Sequence, residues 1–286
     1  MHAVPDRTRL WFGRRWLALS ALFADTVVAA AGAAPSSAAP PPVPALSAPA
    51  CDRPVYLTFD TGHMGVADHI AEVLQRQQVR VTFFLADERT REGGSSLDDR
   101  WAPWWKARAA EGHAFGSHTW QHLVWQGDAG AQQFTMRPTA GPNAGRRLQV
   151  SAAEYCADLQ RVGERFRQMT GQTLGPWFRA PAGRHSAALR EAAAACGFTH
   201  IGWSDAGFLG DELPSDRYPN AALLQRALRD IRPGDVLMAH LGIWSRQDPW
   251  APAVLEPLIA GLKARGLCFA TLDQHPKWGR AATLPR

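Results

Sequence analysis

The chain has 286 residues, 46% hydrophobic, 20% charged and 9% aromatic, which excludes a disordered tail, a collagen-like repeat and a multi-span membrane protein and leaves a globular chain of one large domain or two small ones. Lys and Arg total 31 against 26 Asp and Glu, a formal charge of +5, of which +2 sits in the first 50 residues: Arg7, Arg9, Arg14 and Arg15 against Asp6 and Asp25. The remaining charge is spread without a dense basic run, so no phosphate-neutralising stripe exists and nucleic acid is not an expected partner.

In chain order, the arginines up to Arg15 precede an apolar run over 16–34, followed by a Pro/Ala/Ser stretch over 35–50. This reads as an export signal (1–34) and a flexible spacer (35–50) ahead of a catalytic-sized domain (51–286). Asp25 interrupts the apolar run, and a charge at the bilayer centre is costly. Cleavage among the small residues near 31–34 is therefore expected over a permanent anchor, and membrane contact would come only through an uncleaved leader. The Arg14-Arg15 pair fits twin-arginine export and fits chance equally well. The mature chain is expected to be periplasmic or secreted. It carries Cys51, Cys156, Cys196 and Cys268, which allow up to two disulfides in three full pairings, or else serve as small apolar residues.

From residue 52 onward, short β-branched or aromatic runs alternate with segments of helical period, the pattern of a parallel sheet with crossover helices. Strands are predicted at 55–59, 81–85, 114–117, 177–179, 199–203, 236–240 and 267–270. Between the first two, Val66, Ile70, Val73 and Leu74 share one helix face; further helices are predicted at 101–110, 152–169, 187–195, 221–231 and 253–264. Such units over about 230 residues suit a single closed or nearly closed α/β barrel. Two segments resist the pattern, 87–99 and 127–150, and both follow a strand end, where a long loop overhangs a site.

In barrels of this kind reactive side chains gather at the carboxyl ends of the strands. Asp60 stands at the end of the first predicted strand, His118 and His122 follow the third, Arg179 ends the fourth, Asp205 follows the fifth and His240 ends the sixth. His118 and His122 are four apart, a spacing that stacks two imidazoles on one face of a helical turn, and neutral imidazole is the commonest side-chain ligand for zinc and similar ions. The pair alone is weak; its placement beside Asp60, Arg179 and His240 makes it a site.

With these motifs on the page the chain resembles the NodB-type polysaccharide deacetylases, carbohydrate esterase family 4. The family's TFDDG appears as Thr58-Phe59-Asp60-Thr61-Gly62, H[ST]xxH as His118 to His122, RxPxG as Arg179 to Gly183, and LxH as Met238-Ala239-His240. The resemblance spans 55–271 and implies a distorted (β/α)7-type barrel that hydrolyses N-acetyl groups on a glycan with a divalent metal ion, zinc first and cobalt, nickel or manganese as alternatives. It further implies His118 and His122 as ligands, Asp60 as general base, Arg179 as the cation that keeps Asp60 ionised, the backbone N–H of Ala182 as an oxyanion donor, and His240 as general acid. The carboxylate that tunes this last histidine is Asp211 in preference to Asp205, both being candidates because the family's motif is blurred here.

The main departure is Thr61, which stands where the family has a second, metal-binding Asp. A hydroxyl is a poorer ligand than a carboxylate. Thr61 or a water completes the shell, His63 swings in as a third imidazole, or the protein works without metal. Trp125 and Trp244 are candidates for stacking on sugar rings, while tryptophan in general is more often core. Two rivals follow: a metal-independent amidohydrolase of the same fold, and a catalytically silent glycan-binding module.

Overall fold

The computed structural model describes residues 51–279. The expected export signal and spacer, 1–34 and 35–50, lie outside the described residues.

Seven parallel strands form a curled sheet at every predicted strand position: β1 (Pro54–Asp60), β2 (Thr82–Leu85), β3 (Ala114–Ser117), β7 (Trp177–Phe178), β8 (Thr199–His200), β9 (Val236–His240) and β10 (Cys268–Phe269). The order is β10-β1-β2-β3-β7-β8, with β9 also paired to β1. β1 is the axis of the sheet. Its first residues pair with β10, while its second half lies between β2 and β9. Val55 to Asp60 are buried without alternation, as expected of a parallel strand covered on both faces. β8 and β9 do not pair as strands; residues 204–209 close the gap irregularly, Ser204 N–H donating to Val236 O (3.0 Å) and Leu209 N–H to Met238 O (3.2 Å).

Helices α1 (Ala67–Arg76), α2 (Ala102–Ala110), α3 (Ala152–Thr170), α4 (Ala187–Ala195), α5 (Asn220–Asp230) and α6 (Glu256–Ala264) pack against the sheet. α1 buries Ile70, Val73 and Leu74 on the predicted face. α3 starts at a capping box, Ser151 with Glu154, and ends at Gly171 in the left-handed region (φ 77°). α6 begins later than its predicted start, because residues 251–255 form a wide π turn. Among the described residues no helix is long and apolar enough to cross a membrane.

The segment 127–150 is not a loop. With the residues before it, it forms an antiparallel sheet of β4 (Leu123–Asp128), β5 (Gln133–Pro138) and β6 (Leu148–Ser151). Its apolar face is carried inward by Leu123, Phe134, Met136 and Val150, in one cluster with Tyr155 and Leu159 of α3; spread over three short strands among Gly, Gln, Thr and Arg, they hide the period of two.

The four cysteines pair as Cys51–Cys268 and Cys156–Cys196, across sequence separations of 217 and 40 residues. The first ties the start of the domain to β10, and the second ties α3 to the end of α4. Loop-closure entropy grows with the logarithm of loop length. Cys51→Ser/Cys268→Ser is therefore expected to cost about 1.5 kcal/mol more than Cys156→Ser/Cys196→Ser. Denaturant unfolding of the two double variants measures the difference.

Candidate active site

The carboxyl ends of β1, β3, β7 and β9 converge on one site. Asp60, the last residue of β1, is in register with His240, the last of β9. Arg179 directly follows β7, its N–H bonded to Ser117 O (2.9 Å) at the end of β3. All three nitrogens of its buried guanidinium donate: Nε to Ile201 O (3.2 Å), one amino nitrogen to Thr58 Oγ1 and Asp60 Oδ1 (2.8 Å each), the other to Gly202 O (3.1 Å). Its plane also lies 4.2 Å from the centre of the Phe84 ring. A buried cation held by four hydrogen bonds on three sides is fixed in position, and it fixes Asp60 in turn.

Burial acts to raise the Asp60 carboxyl, but Arg179, His118 and His240 outweigh it and hold Asp60 below its ordinary range. Asp60 is thus an anion with a committed oxygen, Oδ1, on Arg179 and a second, Oδ2, 3.5 Å from His118 Nε2. Because its folded-state pKa is depressed, Asp60 stabilises the fold above the ordinary carboxylate range, and that stabilisation is lost as pH falls through the folded value.

His118 and His122 do meet, with ring centres 4.9 Å apart. The cause differs from the predicted one: Thr119 and His122 have φ of 63° and 49°, so 118–122 is a tight turn and not a turn of helix. The Thr119 side chain holds it by accepting from Leu123 N–H (2.7 Å). His118 Nδ1–H donates to Arg179 O (2.9 Å), which leaves Nε2 with its lone pair bare. Burial pushes His118 down to about 4, against the pull of Asp60, so the ring is neutral at neutral pH. His122 Nδ1 shares a hydrogen bond with the Thr139 hydroxyl (2.5 Å) on the chain leaving β5.

On the opposite side, Asp211 accepts from the backbone N–H of His240 (2.7 Å) and lies 3.1 Å from its Nδ1. Burial works against the imidazolium, yet Asp211, together with Asp60, pushes His240 up to about 10. Raised in this way, His240 contributes stability that is complete below the ordinary imidazole pKa and is lost as pH rises through the folded value. Of the two candidate carboxylates, Asp211 is the partner. Asp205 is exposed in the turn after β8 and does not reach His240, since that turn is spent on closing the barrel against β9.

Thr61 is fully buried, and its hydroxyl accepts from Ala86 N–H (3.2 Å) and donates to Glu88 Oε2 (2.6 Å). His63 is not brought to the imidazole pair: its Nδ1 accepts from Gly65 N–H (2.9 Å) and its ring lies edge-on to Trp244, 4.9 Å between centres. Its ring packs against Gly65 and Gly242, where a Cβ on either glycine would meet it. Ala182 holds a positive φ of 54° in the short turn after β7, an uncommon conformation for a residue with a Cβ that aims its peptide group. Gly62 also has a reason: a Cβ there would come within 2.0 Å of Gly242 O, so the chain after Asp60 can pass β9 only without a side chain.

Residue-type patterning does not single out Glu88; the signal in the sequence is the segment 87–99 around it, which departs from the strand–helix alternation after a strand end. A cavity of about 330 Å³ opens beside His240, lined by Asp211, His63, Arg91 and Trp244. Trp244 is 57% exposed and faces the Arg89 guanidinium at 5.4 Å; Trp125 is half-buried and donates from Nε1 to Asp128 (3.0 Å).

A curled parallel sheet presenting a buried Asp–Arg pair, two imidazoles and a carboxylate-backed histidine at one end has the layout of a hydrolase. The family model for polysaccharide deacetylases matches residues 47–201, more than half of the chain, and the chain belongs to that family. Over 228 residues it is 25% identical to the chitooligosaccharide deacetylase of Azorhizobium caulinodans, covering 76% of this chain and 92% of that one. Among solved structures it is similar in fold to a family 4 acetyl xylan esterase from Clostridium thermocellum in complex with cobalt (TM-score 0.58, 20% identity, 77% of this chain and 88% of that one). It is similar also to a family 4 pseudoenzyme from Bacillus anthracis (TM-score 0.57, 20% identity, 78% and 65%). These structural likenesses establish the barrel, a curled (β/α)7-like sheet, and the chemistry must be argued from the residues.

Asp211→Asn keeps the shape of the side chain and removes the charge behind His240. The imidazole is then expected to titrate near its ordinary range, with the wild type well above it, as followed by histidine ring NMR signals over pH.

Proposed function

We propose that the chain is an exported, divalent-metal-dependent hydrolase that removes N-acetyl groups from an N-acetylated polysaccharide of the envelope or matrix, peptidoglycan or an exopolysaccharide. One observation carries the reading: an aspartate held ionised by a fully buried arginine lies 3.5 Å from a bare imidazole nitrogen, with a protonated histidine at the next strand end. A base and an acid whose environments push their pKa values apart are what amide hydrolysis requires.

His118 and His122 would hold the metal ion, zinc or one of cobalt, nickel and manganese. The donor chemistry fits: His118 is neutral, its Nδ1–H is committed to a carbonyl, and Nε2 is free to donate. When bound, such an ion supplies polarisation of the acetamide carbonyl and acidification of a water. Asp60 accepts the proton of the attacking water while Arg179 keeps the carboxylate oriented. The turn at Ala182 offers its N–H to the oxygen that gains charge as the carbonyl becomes tetrahedral. His240 gives its proton to the departing amine as the C–N bond breaks, and Asp211 stabilises the charged ring until then. Acetate and a free amino sugar result. Trp244 provides an exposed aromatic face for a sugar ring beside His240.

Export is supported by the cysteines, all four of which are paired, since disulfides persist in oxidising compartments. The leader-like composition of residues 1–34 points the same way.

Acetate release from N-acetylated chitooligosaccharides and peptidoglycan, by protein stripped of metal and then resupplied with zinc, tests the reading. Asp60→Asn and His240→Ala are each expected to lower kcat by about 10²–10⁴. His240→Ala should retain its metal by elemental analysis, while His118→Ala should lose it. Full activity of His240→Ala would overturn the acid assignment, and zinc-independent turnover the metal dependence.

A further inference from the structure

Two imidazoles alone are a poor home for a divalent ion in a buried site, because no negative charge offsets it. Asp60 cannot serve fully, as one of its oxygens is spent on Arg179. Among the described residues no three His, Cys, Asp or Glu side chains stand in an arrangement that could hold a metal ion as it is. The sheet order nevertheless brings a further carboxylate to the place. β2 runs between β1, which ends in Asp60, and β3, which leads into His118, and Glu88 lies three residues beyond the end of β2.

Glu88 is held there rigidly. Its backbone N–H donates to Ser96 Oγ (3.0 Å) and its carbonyl accepts from Ser96 N–H (2.8 Å), while Ser96 is itself fully buried and donates to Ala86 O. Its carboxylate is turned inward, Oε2 accepting from the Thr61 hydroxyl (2.6 Å) and the Gly62 N–H (2.7 Å). Among the described residues Oε1 accepts no hydrogen bond, so this oxygen keeps its lone pairs for another partner. Through Thr61 and Gly62 this carboxylate is tied to the two residues that follow Asp60, whose own Oδ2 lies 3.5 Å from His118 Nε2.

We infer that Glu88 is the third protein ligand of the metal site, its free Oε1 supplying from the loop after β2 the charge that Thr61 lacks, and that Thr61 is a positioning residue that aims Glu88. This inference rests on the metal-dependent reading above. It makes the first motif's departure a relocation of one carboxylate from main-chain position 61 to position 88, with the old position converted into the hydrogen-bond donor that orients the new ligand. The predicted ligand pair, His118 and His122, is retained, and neither His63 nor a metal-free mechanism is needed.

Calorimetric titration of the full-length, metal-free protein with zinc chloride tests it. Glu88→Gln keeps an acceptor for Thr61 and Gly62 but loses the charge. It is expected to bind zinc at least about tenfold more weakly than wild type, with an unchanged melting temperature in chelator. Thr61→Val should weaken zinc binding by a smaller factor and Thr61→Ser should not, and the cobalt-loaded protein should show a changed visible spectrum in Glu88→Gln. Wild-type zinc affinity in both Glu88→Gln and Thr61→Val would overturn the inference and leave the metal reading intact. A wild-type protein that takes up no zinc, like His118→Ala, would overturn both.

Discussion

The ion pair between Arg179 and Asp60 is the constraint on which the site depends. The arginine side chain is fully buried and that of Asp60 is 3% exposed, so neither charge is tolerable without the other. Removing one partner of such a pair leaves an uncompensated charge in the interior, at a cost of about 3–5 kcal/mol. The pair also joins strands distant in sequence. Arg179 bonds to Thr58 and Asp60 of β1 and to the carbonyls of Ile201 and Gly202 beyond β8, while its own carbonyl takes the Nδ1–H of His118. One side chain thereby sets the ionisation of the base, and its peptide group sets the tautomer of the neighbouring imidazole.

Polarity is graded across the site in a way that suits amide cleavage. Asp60 is held as an anion, His118 is kept neutral by burial, and His240 is kept charged by Asp211. Each state comes from a different balance between burial and a near charge, and the three groups sit within one end of one sheet. Glu88, from the loop after β2, sets a second carboxylate against Thr61, the residue that follows Asp60, whose Oδ2 faces His118. The glycine at 62 lets the chain pass close against Gly242 immediately after the base, which keeps the ends of β1 and β9 together.

Much of this was legible in the residues. All seven parallel strands were marked by β-branched and aromatic runs, and the site residues Asp60, His118, His122, Arg179 and His240 by their positions at strand ends. The sheet β4–β5–β6 was not, because its buried apolar residues Leu123, Phe134, Met136 and Val150 are spread over three short strands in a polar stretch. The imidazole pair was found for a reason that does not hold, since Thr119 and His122 leave the helical region. Asp211 is preferred over Asp205 already in the sequence, while the barrel closure that occupies the Asp205 turn is a long-range contact that no local pattern encodes. Glu88 was hidden for the same reason: its partners Thr61 and Gly62 lie 27 and 26 residues away along the chain. The departure at Thr61 signalled that something was displaced without indicating where it had gone.

The most direct test is the titration of the Asp60 carboxyl itself, followed by ¹³C NMR of selectively labelled protein from neutral pH downward. The account requires Asp60 to remain ionised well below the ordinary carboxylate range, with its protonation accompanied by loss of the folded spectrum. An Asp60 that takes up its proton at or above the ordinary value, in a protein still folded, would contradict it, because the buried arginine would then not be holding a base in place.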